Sequence, residues 1–184
     1  MRIAIITSSF PFPPGEQFIE SEISFWQETA FERVYLLPAT VSGRPRPIPD
    51  ELILDLNLSR SKSKTVFAFK ASVSSYFSSE VADLLRRKDF SIGKLFIALK
   101  SVASYLRAEQ NLLAWLDDNE AIDVIYTYWH SYYAYAACTA KKKGLIKKVV
   151  SRAHGSDLYE ERRPYSYMPL KRQFIKDLDA LYCL

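Results

Sequence analysis

A chain of 184 residues that is 48% hydrophobic and 25% charged can bury one domain-sized core or supply half of a two-domain enzyme, which excludes a disordered or repeat protein. The net charge of +4 is modest and no nucleic-acid signature accompanies it, so no nucleic-acid partner is expected. There is no signal-peptide pattern and no apolar run of membrane-spanning length, and Cys138 and Cys183 have neither metal-ligand spacing nor a disulfide framework, as free thiols in a reducing cytoplasm would.

In chain order, Arg2 to Thr7 reads as a buried strand and is followed by a loop stiffened by Pro11, Pro13 and Pro14. The spacing of Phe18, Ile19, Ile23 and Trp26 predicts a helix from Glu16 to Glu28, and Arg33 to Leu37 is the next strand. Strand, Gly-containing loop, helix and strand form the opening unit of a Rossmann-like sheet. A Pro-rich connection from Gly43 to Pro49 leads to a short strand at Leu52 to Leu56 and two long helices, Lys64 to Lys88 and Ile92 to Asp117. Val124 to Trp129 has the composition of a buried parallel strand, and a helix from Tyr132 to Lys143 is stopped by Gly144. Lys148 to Arg152 is a strand, Tyr167 to Lys176 a short helix, and Ala180 to Leu184 a last strand. The expected fold is therefore α/β, with a mostly parallel sheet and helices on both faces. A parallel strand is normally followed by a covering helix, so a chain ending inside one reads as lacking a C-terminal domain.

Charge is unevenly placed. From Arg60 to Arg107 there are ten Lys or Arg against three acidic residues, Glu80, Asp83 and Asp89. Such a stretch can meet anionic lipid, a phosphate-bearing substrate or solvent.

Three segments carry candidate chemistry. The loop from Ser8 to Glu16 joins a strand to a helix N-terminus, where backbone amides suit phosphate oxygens and Gly15 permits close approach; an ordinary stiff loop is the competing reading. His154 directly follows a strand, with Gly155 leaving space and Arg152 and Asp157 placed to orient it or to contact a polar ligand; a structural histidine competes. The aromatic run from Tyr126 to Tyr133 holds Tyr128 and Trp129, which suit a sugar ring face or the core, and His130 is the weaker of the two histidines. No G-x-G-x-x-G, P-loop, G-x-S-x-G or metal-ligand pattern is present, and Glu160 to Arg163 reads as a solvated charge run.

The segment Ser151-Arg152-Ala153-His154-Gly155-Ser156-Asp157-Leu158-Tyr159, with Pro164-Tyr165, Met168 to Lys171 and Asp179 to Tyr182, resembles the N-terminal domain of family four glycosyltransferases, particularly bacterial capsule and exopolysaccharide enzymes. Pro11 to Ile23 is similar to that family's first loop and helix. The resemblance is specific from Asp123 onward, moderate before Leu37 and thin between Thr40 and Glu120. It implies the B-type fold of two facing Rossmann-like domains, of which this chain is the acceptor-side one. The implied reaction is transfer from a nucleotide sugar with retention, without metal or other cofactor, to a saccharide or polyprenyl-linked saccharide acceptor. By that likeness Gly15 and Glu16 approach the donor phosphates, although Pro14-Gly15-Glu16 replaces the commoner Gly-Gly, and His154 lies near the donor sugar and acceptor. Substrate contacts are expected from Arg152, Gly155, Asp157, Tyr128 and Trp129. The basic stretch 60–107 would rest on an anionic membrane surface at the inner face. The competing class is a saccharide- or nucleotide-binding module without catalysis.

Overall fold

The computed structural model describes residues 1–59 and 64–183. Arg60, Lys62 and Leu184, which belong to the expected basic stretch and last strand, lie outside the described residues. The strands are β1 (Arg2–Thr7), β2 (Arg33–Pro38), β3 (Leu52–Leu54), β4 (Val124–Thr127), β5 (Lys148–Ala153) and β6 (Ala180–Cys183). The α-helices are α1 (Lys64–Ser72), α2 (Ser75–Arg86), α3 (Ile92–Asp118), α4 (Tyr132–Lys142) and two single turns, α5 (Gly155–Leu158) and α6 (Lys171–Phe174). All neighbouring strands are parallel and run β3-β2-β1-β4-β5-β6 across the sheet. That order makes the fold Rossmann-like, with the direction of winding reversing between β1 and β4.

Alternation along the strands divides the core in two. Ala4, Ile6, Tyr35, Leu37, Ile125 and Val149 pack with the helical layer, where α3 and α4 press Tyr105, Leu112, Trp115 and the alanines of α4 onto the sheet. Ile3, Ile5, Val34, Leu36 and Val124 face the opposite side, against Phe10, Ile19, Ile23 and Tyr128. That second layer is thin. The expected helix from Glu16 to Glu28 is instead two 3-10 segments, Gln17–Ser21 and Ile23–Glu28. Ser21 and Thr29 donate their hydroxyls to the carbonyls of Phe18 and Trp26, three residues back, in competition with α-helical pairing.

Two other elements also depart from the sequence reading. The helix expected from Lys64 to Lys88 breaks before Ser74, whose extended backbone and side-chain oxygen, accepting from the Phe77 N–H at 3.2 Å, start α2 afresh. The helix expected over Tyr167 to Lys176 begins only at Lys171, because Met168 precedes Pro169 and the buried Glu80 carboxylate accepts from the Tyr167 hydroxyl and the Leu170 N–H. Among the described residues no helix is long and apolar enough to cross a membrane.

Candidate functional site

The carboxyl ends of β1, β4 and β5 meet at the switch point, and the residues just past them build two adjoining clefts. One, of about 600 Å³, lies over β1 and β4 and is lined by Ser8, Thr40, Arg107, Asn111, Trp129 and Tyr132 among others. Ligands of open α/β sheets bind in such a crevice. Arg107 and Asn111 are one helical turn apart on α3, so both face the same way. The sequence reading counted Arg107 as part of a basic stretch and passed over Asn111; their four-residue spacing was the available signal. A wider groove of about 770 Å³, lined by Phe67, Leu106, Ile122 and Leu145, lies toward the amino ends of the strands and holds none of the candidate residues.

The loop after β1 closes on itself. Glu16, at φ 61°, turns its carboxylate back so that it accepts the backbone N–H groups of Ser8, Ser9 and Phe10 at 2.9, 2.6 and 2.7 Å. Its Oε1 also accepts the Trp129 indole N–H at 2.5 Å. An amide cradle of the kind that takes phosphate is thus filled by an internal carboxylate. Gly15 stands at the rim, and its carbonyl accepts from the Arg46 guanidinium at 3.0 Å.

His154 and Trp129 come together. Their ring centroids are 4.5 Å apart, and the Phe18 ring lies 5.5 Å away from the imidazole. His154 is half-buried, and its Nε2 has no hydrogen-bond partner among the described residues. Asp157 is buried beneath it, with Oδ1 accepting the His154 backbone N–H and Oδ2 accepting the His130 backbone N–H at 2.8 Å. Gly155 leaves the room that the Arg162 guanidinium occupies, since a Cβ there would sit 2.1 Å from Arg162 Nη1.

Arg152 and Tyr128 turn away from the cleft toward the thin layer. Arg152 donates to both carboxylate oxygens of Glu22, at 2.5 and 3.0 Å, and this pairing holds the guanidinium firmly protonated. Its guanidinium stands 5.5 Å from the centroid of the Tyr128 ring. Tyr128 is 1% exposed, and burial pushes its phenol well above the usual range. In this arrangement both side chains are committed to anchoring Phe18 and Glu22 to the sheet.

His130 is buried at the other side of the α4 N-terminus, where a second cleft of about 360 Å³ opens between α3 and the segment 163–169. Burial pushes its imidazole down to about 4, opposed by the Asp157 carboxylate and assisted by Lys171, so the ring is neutral at pH 7. Among the described residues no group of three or more His, Cys, Asp or Glu is placed to hold a metal ion. The thiol of Cys138 is buried and pushed up to about 12, an inert core position, while Cys183 is exposed.

No protein-family model matches the chain, and no curated protein matches it.

Proposed function

We propose that the chain is the acceptor-side domain of a retaining glycosyltransferase of surface-polysaccharide biosynthesis, acting in the cytoplasm with a nucleotide-sugar donor. The observation that carries this reading is His154: it stands just past the carboxyl end of β5, with its imidazole tilted against Trp129 at 4.5 Å between centroids and its Nε2 without a hydrogen-bond partner among the described residues. An imidazole held there can orient and polarise sugar hydroxyls, while the departing phosphate takes the acceptor proton. Arg107, Asn111 and Thr40 furnish hydrogen-bonding groups for a saccharide or lipid-linked saccharide acceptor in the neighbouring cleft. Donor binding falls mainly to a second α/β domain in this reading. The carboxylate of Glu16 shields the β1 loop from phosphate, so the donor would meet Gly15 at the rim and not the amides.

The reading also has a membrane side. Val66 and Phe69 on α1, Val73 just after it, and Ile92 and Phe96 on α3 are exposed, and Lys70 and Lys100 lie among them. Apolar side chains that dip into lipid beside cations that meet anionic headgroups suit attachment to the inner membrane face.

Within a second reading, a saccharide- or nucleotide-binding module without catalysis, the same Glu16 observation favours the saccharide, because the amide cradle is not free for phosphate. The two separate in one assay. The protein carrying this domain is offered a panel of labelled nucleotide sugars with free and polyprenyl-linked acceptors. Transfer that drops about 100-fold in kcat in His154→Ala, with unfolding midpoint unchanged, supports the transferase. Saturable binding with no transfer to any acceptor supports the module, and transfer that is indifferent to His154→Ala removes that residue from the mechanism.

A further inference from the structure

The second cleft is built unlike the first. His130, Ser131, Lys100, Ser101, Arg163 and Tyr167 line it, and among the described residues no Asp or Glu does. His130 is 2% exposed, and neither Nδ1 nor Nε2 has a hydrogen-bond partner among the described residues. A buried polar atom left unpaired is unfavourable, and here one ring leaves two. The ring cannot escape readily. Its backbone N–H is fixed by Asp157 and its face is met edge-on by Tyr135 at 5.2 Å.

The 11-residue helix α4 starts at the same spot. Ser131, its N-cap residue, makes no side-chain bond to the first turn, so the positive end of the helix is left open toward the cleft. Lys100 and Arg163 add two full positive charges from α3 and from the segment before Pro164. Two cations and a helix N-terminus, at a lining without Asp or Glu among the described residues, select an anion, the buried Asp157 and Glu80 carboxylates behind it being taken up by the His130 N–H and the Tyr167 hydroxyl. The volume, about 360 Å³, is at the small end of ligand pockets, enough for a phosphate or diphosphate with one small polar group and too little for an extended saccharide.

We propose that this cleft binds the phosphate or diphosphate group of a small phosphorylated ligand, with Lys100, Arg163 and the α4 N-terminus meeting the phosphate and His130 satisfying a phosphate oxygen and a ligand hydroxyl. A neutral imidazole offers one N–H donor and one acceptor, which is the pair that a phosphate carrying a neighbouring hydroxyl completes. The cleft shares Ser131 and Tyr132 with the larger one over β1 and β4, so the two pockets lie on either side of a single helix start. This inference does not depend on glycosyl transfer, because its readout is equilibrium binding.

The test titrates inorganic pyrophosphate and glucose 1-phosphate into the protein by calorimetry, with the two histidine imidazoles followed by NMR. Saturable binding that moves the His130 signals, and that weakens by about tenfold or more in Lys100→Ala combined with Arg163→Ala, is expected. Both side chains are exposed, so the double variant should keep the wild-type unfolding midpoint, which is measured alongside. Equal affinity in the double variant overturns the proposal, as does the absence of saturable binding at millimolar concentration. A third arm offers vesicles of phosphatidylglycerol: if these bind at the His130 cleft while the soluble phosphates do not, the site takes lipid headgroups and the small-ligand assignment is overturned.

Discussion

His130 is neutral in the folded protein well into the acid range, because burial holds its pKa at about 4, whereas in an unfolded chain the ring titrates near 6.5. Between those values the unfolded state binds the extra proton, so stability rises with pH across that window and is lost as pH falls from about 6.5 toward 4. The sensitivity amounts to about 3 kcal/mol at most for a shift of this size. Urea unfolding at pH 7, 5.5 and 4 is expected to show that loss in the wild type and a flatter profile in His130→Phe. Equal slopes in the two proteins would mean that some other group carries the proton. At the opposite pole is Glu16. In sequence it looked like a neighbour of phosphate, and in the structure its own carboxylate takes the place a phosphate would take. No local pattern signals this, since the decision rests on one left-handed residue at φ 61° and on Trp129, which is 113 residues away in the chain.

Strands were the most legible elements. Each expected strand is present, to within one or two residues at its ends, because a central parallel strand is apolar on both faces and stands out from its surroundings. Helices were less so. Residues 16–28 have a helix-like spacing of apolar side chains, yet serine and threonine hydroxyls that bond three residues back draw the backbone into 3-10 geometry. The long helix from Lys64 onward hid a cap at Ser74, where a hydrophobic pattern continued across a break in the backbone. Replacing Ser74 by Ala removes the acceptor for the Phe77 N–H and should lower stability by about 1 kcal/mol, read as a shift in urea midpoint with unchanged slope. A wild-type midpoint would show that α2 is held by its packing on α3 alone. For the candidate site, the sequence located His154 and Trp129, which do meet; Arg152 and Tyr128 are drawn to the thin layer by Glu22 and Phe18, partners more than a hundred residues distant in the chain.

At the scale of the whole molecule, the two faces of the sheet are unequal. One carries α3 and α4 and most of the buried aromatic mass, and the other is covered by short 3-10 turns. The exposed apolar side chains of α1 and the start of α3 belong to the thick side, together with several of its cations. Flotation with vesicles containing phosphatidylglycerol should therefore capture the protein, less so in high salt, and Phe69→Ser with Phe96→Ser should reduce capture several-fold. Capture that ignores both salt and these substitutions would remove the helical face from membrane contact. Asp123 and Asp179 perform one architectural task twice, each accepting a strand N–H of the neighbouring strand, from Arg2 and from Val149, at 2.8 Å. Lysine partners hold both carboxyls below the usual range, Lys147 for Asp123 and Lys141, against burial, for Asp179. Asp157 does something different. A single carboxylate carries the main chain of both histidines, one on each of its oxygens. The two residues hang from a common pivot, so the loops that carry the two histidines share one anchor and the clefts on either side of the α4 start are built on the same carboxylate.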